Sequence, residues 1–322
     1  MRSLPLEKNT FRGCASLNNA SMTHHKSLWA PILMLIVPPL CWAGNVVLAR
    51  SVIHSIPPVG LAFWRWTVAF GLILPFAFRH VVEDIPIMLQ NWRMLLVLSA
   101  FGIAAFNTLL YLAVHTTSAI NCALIQTTMP AFILIITLLG FRETTGWRQT
   151  VGVVLCMFGA AVVVLRGDLE VLLEMSFSRG DLLMLVAVIC YGVYTVLLPK
   201  RPPIHPMTFL SVTFGIGASM LLPLYLWEHW TMQPMVWSLQ TLNAVLYVAV
   251  FPSIVAYFCW NRGTELIGAN RSGLFINLVP IFAAILSMLW LDEPPMPYHL
   301  IGMGLVFSGM VMVNVRPNED RK

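Results

Sequence analysis

One formal charge lies well inside an apolar run: Arg65, seven residues after Pro58. At 1.5 Å rise per residue, that is roughly 10 Å below the end of the run. Placing an arginine there costs about 2.5–3.5 kcal/mol on insertion scales, so it calls for a use. Its planar fork is suited to holding a carboxylate through two hydrogen bonds. The structural alternative is snorkelling outward or stacking on Trp64 or Trp66. Asn45, Asn107, Gln126 and Asn277 are amides inside apolar runs, and Asn121 and Asn270 lie nearer run ends. In hydrocarbon each amide must find a partner, either in a polar cavity or on a neighbouring helix. Trp42, Trp64, Tyr111, Tyr191, Tyr194, Tyr257 and Trp260 could pack the apolar part of a solute while a polar tip donates a hydrogen bond. Packing between helices is the alternative for them.

Pro130 and Pro280 each remove a backbone hydrogen bond in mid-run, which makes them candidates for hinges or for fixed kinks. Other chemistry has no visible footing. None of the 14 carboxylates and none of the eight histidines falls in mid-run; Glu143, Asp181, Glu265 and Glu293 stand near run ends. A buried carboxylate or histidine relay of the kind pumps use is therefore not expected. The chain has no Walker pattern and no Gly-x-Ser-x-Gly turn. Cys41, Cys122, Cys156, Cys190 and Cys259 read as small apolar core residues, with Cys14 in the N-terminal tail and no Cys-x-x-Cys pair. No metal and no cofactor are expected.

The elements that must position these residues follow from composition. Of 322 residues, 58% are hydrophobic and 10% charged, and the mean hydropathy is +0.79. A water-soluble domain averages about 25% charged residues, so a soluble enzyme is excluded. Membrane β-strands alternate polar and apolar residues over about ten positions, unlike the continuous runs here. The runs predict an all-α polytopic protein with spans at 29–49, 58–78, 94–114, 118–139, 147–165, 181–199, 206–227, 239–261, 269–291 and 298–315. Residues 1–28 and 316–322 read as cytoplasmic tails and 166–180 as a periplasmic linker. Residues 1–21 read as a disordered tail or as an over-extended start.

The two tails and the connections after the even-numbered spans carry 15 of the 19 Lys and Arg residues, and the opposite side carries three. The net charge of +5 is thus a topological signal, and no basic block suggests nucleic acid. It places both termini in the cytoplasm; the chain is expected in a bacterial inner membrane, with the lipid bilayer as a partner.

The chain also repeats itself at an offset of 150 residues. Ala119 matches Ala269, Pro130 matches Pro280, Glu143 matches Glu293, Gly152 matches Gly302 and Gly159 matches Gly309. Near the start of each half, Cys41-Trp42 faces Cys190-Tyr191. Asn277 aligns with Thr127, so both copies place a polar group three residues before their proline. Five spans per copy is odd, so residues 29–165 and 181–315 must insert with opposite orientation. Inverted repeats with a site at their interface are an architecture of secondary transporters. Gly152, Cys156 and Ala160, with Gly304 and Ser308, form small-residue stripes for close helix approach, within one chain or in a homodimer.

The run Leu40-Cys41-Trp42-Ala43-Gly44-Asn45, then Phe63-Trp64-Arg65, resembles the opening of the EamA repeat. The stretch from Tyr111 through Thr117-Ser118-Ala119 to Pro130, Glu143, Gly152 and Gly159 is similar to the rest of it. It recurs from Thr264 through Gly268-Ala269 to Pro280, Glu293, Gly302 and Gly309. This likeness to the EamA branch of the drug/metabolite transporter superfamily covers roughly residues 30–315. It implies ten helices in two inverted five-helix repeats around a central cavity, exporting amino acids or other small metabolites. Thr213 stands where Arg65 would recur, so recognition of charge would be one-sided. Efflux of lipophilic drugs is the alternative; a polytopic enzyme or lipid-handling protein is the reading from another class. A reporter fused to the C-terminus tests the orientation: alkaline phosphatase should be inactive there and green fluorescent protein bright. The opposite pattern would invert the topology.

Overall fold

The computed structural model describes residues 29–51, 56–117, 119–142, 146–174, 178–232, 234–290 and 296–314. Both tails, Ser118, Glu143, Glu293 and Pro294-Pro295 lie outside the described residues. Helices account for the architecture, with no strand among the described residues. In chain order the long ones are α1 (Trp29–Ser51), α2 (Pro58–Gln90), α3 (Trp92–Thr116), α4 (Asn121–Phe141), α5 (Trp147–Val164), α6 (Arg179–Lys200), α7 (Pro206–Thr231), α8 (Leu239–Ile267), α9 (Ala269–Leu286) and α10 (Pro297–Asn314). Helices α2 to α9 are each long and apolar enough to cross a membrane, while the apolar stretches Ala30–Asn45 in α1 and Pro297–Val313 in α10 are shorter.

Burial is arranged for hydrocarbon rather than water. Phe76, Leu139, Phe158 and Leu300 point outward and are well exposed, while Arg65, Asn45, Asn107 and Asn277 are buried. Such a surface is stable against lipid tails, and every buried polar group must then be served from inside.

Helix α2 runs 12 residues past the expected span, to Gln90. At 33 residues it is about 50 Å long, well beyond the roughly 30 Å of a hydrocarbon core. The charges at 79–84 sit on this extension instead of in a loop. Arg79 pairs with Glu83 one turn on, and Asp84 accepts a hydrogen bond from the His205 N–H at the head of α7. His80 stacks on His205 with ring centroids 3.8 Å apart.

The two copies are interleaved, each helix of one packing against a helix of the other. Between α2 and α7, Phe63 stacks on Tyr225, Phe70 closes on Gly215 and His80 lies on His205, so the two run antiparallel. Leu35 against Gly263 and Trp42 against Trp260 pair α1 with α8. Phe106 against Tyr191 and Thr116 against Gly180 pair α3 with α6, the same contact with the copies exchanged. These are two repeats of opposite orientation.

The α5–α10 crossing shows the symmetry at closest range. A Cβ on Gly159 would stand 2.7 Å from the Gly302 carbonyl, and one on Gly302 would stand 2.7 Å from the Gly159 carbonyl. Gly152 and Gly309 meet in the same way. The stripe on α5 therefore faces inside the chain, where Cys156 donates to the Val306 carbonyl. On α10 the contacting face is Gly302, Val306 and Gly309, not the expected Gly304 and Ser308. Gly304 has open space where its Cβ would be, and Ser308 is exposed. The 150-residue repeat marks the correct face, whereas four-residue spacing alone picked its neighbour. Gly159→Val or Gly302→Val should cost about 1–3 kcal/mol through overpacking against backbone, read as a lower melting temperature in detergent. Gly304→Ala should leave the melting temperature level or slightly higher, and equal losses in all three would contradict this crossing.

Candidate functional site

Two matching turns depart from α-helix at the centre of the molecule. Ala100–Ala105 in α3 and Val250–Val255 in α8 are π-helical, 150 residues apart. Pro252 explains the second: it has no N–H to close the ladder, and the Ser253 hydroxyl instead donates to the Val248 carbonyl at 2.7 Å. A π-turn leaves carbonyls available to other partners, and both copies use the equivalent one. The Gly102 carbonyl accepts from the Tyr257 hydroxyl at 2.6 Å. The Pro252 carbonyl accepts from Arg65 Nη2 at 2.9 Å and from the Trp42 indole at 3.1 Å.

Arg65 is fully buried. Its Nε donates to the Ser253 hydroxyl at 2.6 Å, and Nη1 donates to Asn107 Oδ1 at 2.8 Å and to the Tyr111 hydroxyl at 2.9 Å. Its guanidinium carbon lies 4.6 Å from the Trp66 ring centre. With the Pro252 carbonyl, four of its five N–H groups are engaged. Every one of these acceptors is neutral, and no carboxylate pairs with Arg65 among the described residues. The cation thus ties α2 and α3 of one repeat to α8 of the other.

The network around it is built on the internal two-fold. Asn107 and Tyr257 are equivalent by the 150-residue offset and bond to each other, Nδ2 to hydroxyl, at 3.2 Å. Tyr111 donates to Asn45 at 3.0 Å, and Tyr194 donates to Asn261 at 2.6 Å. Asn45 occupies the place of Tyr194 and Tyr111 that of Asn261, so the two bonds are one contact with donor and acceptor exchanged. Trp42, Tyr191, Tyr194, Tyr257 and Trp260 close over this layer, with Trp42 edge-on to Tyr191 at 5.7 Å and 5.3 Å from Trp260.

The structure therefore gathers Arg65, Asn45, Asn107, Tyr111, Tyr191, Tyr194, Tyr257, Trp42 and Trp260 into one core. It does not bring Trp64 there. Trp64 packs on Phe63, Tyr225 and Trp237, beside the N-terminus of α2. Ser253, the Pro252 and Gly102 carbonyls and Asn261 belong to the core and were missed. The offset that aligns Tyr111 with Asn261 would have found Asn261, and a proline in an apolar run marks the broken turn.

Gln126 and Asn277 lie elsewhere, at a second pair of interruptions. Helix α4 breaks at Thr127–Thr128 and restarts at Met129, and α9 passes through a 3-10 turn over Leu274–Asn277. Pro130 and Pro280 sit just after these breaks, at the restart, instead of kinking a continuous helix. The interrupted turns flank a cavity of about 70 Å³ lined by Gln126, Thr127, Asn277 and apolar neighbours such as Ala43, Leu110 and Pro280. A larger hollow of about 290 Å³ opens at the ends of α4, α6 and α8, lined by Phe141, Gln149, Lys200, Asn270 and Arg271 among others. Lys200, whose ammonium sits over the Phe141 ring, and Arg271 make this mouth basic.

Two carboxylates close other joints. Asp181 completes a capping box with Ser178 and accepts from Thr117 and Asn121, tying α6 to the α3–α4 connection. Glu228, which sequence reasoning left outside its span, is buried and accepts from the Val59 and Gly60 N–H groups at 3.1 and 2.6 Å. It satisfies two of the free donors at the head of α2, where a negative charge also favours the helix dipole. Arg65→Met should cost about 3 kcal/mol, because it leaves buried acceptors on α3 and α8 unpaired. Thermal melting in detergent checks this, and Arg65→Lys should recover little, since an ammonium cannot reproduce the fork. Full stability in both variants would show that the network carries no load.

A family model for the EamA-like transporter family matches residues 29–165 and 178–315. The transporter YyaM of Bacillus subtilis, uncharacterized by description, is 28% identical over 87% of this chain and 92% of its own length. An uncharacterized transporter of Archaeoglobus fulgidus is 26% identical over 89% of this chain and 98% of its own. A protein of Streptantibioticus cattleyicolor described as a probable terminal-alkyne amino-acid exporter is 24% identical, over 90% and 94% of the two chains. One solved crystal structure superposes with a TM-score of 0.71 at 16% identity, covering 89% of this chain and 96% of that one, so the likeness is of fold. With both repeats matched and relatives that are transporters by name, this multi-pass membrane protein belongs to the EamA-like transporter family.

Proposed function

We propose that the protein is a secondary transporter of the bacterial inner membrane, with both termini cytoplasmic, that exports amino acids or related small metabolites by alternating access. The observation that carries this reading is the cavity between the interrupted turns of α4 and α9. Transporters with inverted repeats bind their solute where discontinuous helices from the two copies meet. The basic mouth lies on the Lys- and Arg-rich side, where a cytoplasmic anion or zwitterion would enter.

In the conformation described, Arg65 is spent on protein acceptors. When the repeats part, Ser253 and the Pro252 carbonyl leave with α8, and the freed guanidinium is the cation that a substrate carboxylate meets. Pro130 and Pro280 adjoin the turns where α4 and α9 would flex. The protein acts in this reading on a small-molecule substrate and is not an enzyme. The amino-acid exporter among its relatives supports the substrate class.

The apolar wall of the cavity is the observation favouring a second reading, efflux of lipophilic drugs. Its volume is well under the roughly 300–1,000 Å³ of drug-sized sites, and no carboxylate lines it to receive a cation. The first reading therefore fits better.

An untargeted comparison of culture medium tests it. Cells expressing wild type should release a solute at several times the level of cells expressing Arg65→Ala or no protein, at matched membrane abundance. Identical media would contradict export, and equal release by a normally inserted Arg65→Ala would remove Arg65 from substrate handling.

A further inference from the structure

The strongest unexplained feature is Asn277. Its side chain is fully buried, yet neither its amide nitrogen nor its amide oxygen has a hydrogen-bond partner among the described residues. A buried amide left unpaired on both edges is costly. Its neighbours do not serve it: Thr127, its counterpart in the other repeat, donates to its own Leu124 carbonyl. Asn277 instead lines the cavity between α4 and α9, beside Gln126 and Thr127, with Ala43, Leu110, Val279 and Pro280 among its apolar walls.

We infer that this cavity is a specificity pocket for a short, uncharged group ending in a carboxamide, which Asn277 recognises edge to edge. An amide presents one donor edge and one acceptor edge in a plane. A second carboxamide pairs with both at once, its N–H donating to Asn277 Oδ1 and its carbonyl accepting from Asn277 Nδ2. No formal charge lines the cavity, so a carboxylate or ammonium placed there would be desolvated without compensation. A ketone of the same shape supplies an acceptor but no donor, leaving Asn277 Oδ1 unpaired. Sites built to pair a polar group reject analogues lacking it more sharply than apolar pockets reject a methylene. The inference rests on the proposed transport function only for its purpose: the cavity holds the distinguishing end of the solute.

The test uses three probes of matched shape, butyramide, butyrate and 2-pentanone, on the purified full-length protein in detergent. Butyramide should raise the melting temperature of wild type, with apparent affinity roughly tenfold above either analogue. In Asn277→Leu and Asn277→Ala that discrimination should vanish. The ligand-free melting temperature separates recognition from packing. An unpaired amide contributes no bond to lose, so Asn277→Leu should melt at or above the wild-type temperature, whereas an asparagine holding helices together would be missed. Equal response of wild type to the three probes, or a clear drop in the ligand-free melting temperature of both variants, would overturn the inference. The outcome is independent of export: butyramide discrimination without any released solute would leave the pocket standing and sink the transport reading. A released solute without discrimination would do the reverse.

Discussion

The buried cation Arg65 sets the terms for the centre of this molecule. Arg65 cannot reach water, and among the described residues it has no acid to neutralise it, so its charge is spread over neutral acceptors and an aromatic face. That requirement accounts for the chemistry around it. A proline-broken turn must be present to lend a carbonyl, a serine must sit beside it, and Asn107 and Tyr111 must point inward from α3. These groups come from both repeats, so solvating one guanidinium also joins the two halves.

The inverted repeat gives that junction its shape. The Asn107–Tyr257 contact and the exchanged pairs Asn45–Tyr111 and Asn261–Tyr194 are one arrangement seen from opposite sides of the membrane. Arg65, with Thr213 at its equivalent position, breaks the equivalence. Two repeats of one backbone plan have two related packings available, but the cation bonds differently to each half. The α5–α10 crossing, glycine against glycine carbonyl on both sides, is by contrast fully symmetric and suits a fixed axis. In the proposed alternating-access cycle, motion would belong to the interrupted helices α4 and α9, and constancy to α5 and α10.

Much of this was legible in the sequence. Continuous apolar runs mark the helices, and the 150-residue offset marks the duplication. Arg65, Asn107 and Tyr111 stand out because polarity inside a run demands a partner. What escaped was hidden by where the runs seemed to end. Glu228 and Asn261 lie on helices that continue past the last strictly apolar turn, so Glu228 fell just outside its expected span and Asn261 stood at the very end of its own. The charges at 79–84 suggest a loop until a helix is seen to carry them into water. Ser253 looks like any small residue in a run, and a carbonyl has no letter. Which amides would meet Arg65 and which would face the separate cavity is a matter of helix rotation and packing, beyond what spacing along one helix can say.

The Arg65 network bridges the two repeats, so its loss should release them from a single arrangement. Spin labels at Arg93 on α3 and Arg262 on α8, both exposed, can be placed in a background freed of native cysteines. Electron–electron double resonance in lipid nanodiscs then reports the distance between the repeats. One narrow distribution is expected with Arg65 intact, and a broad or two-peaked one when Arg65 is replaced by methionine. The same narrow distribution in both would show that the repeats are held by packing alone and that the cation is not their latch.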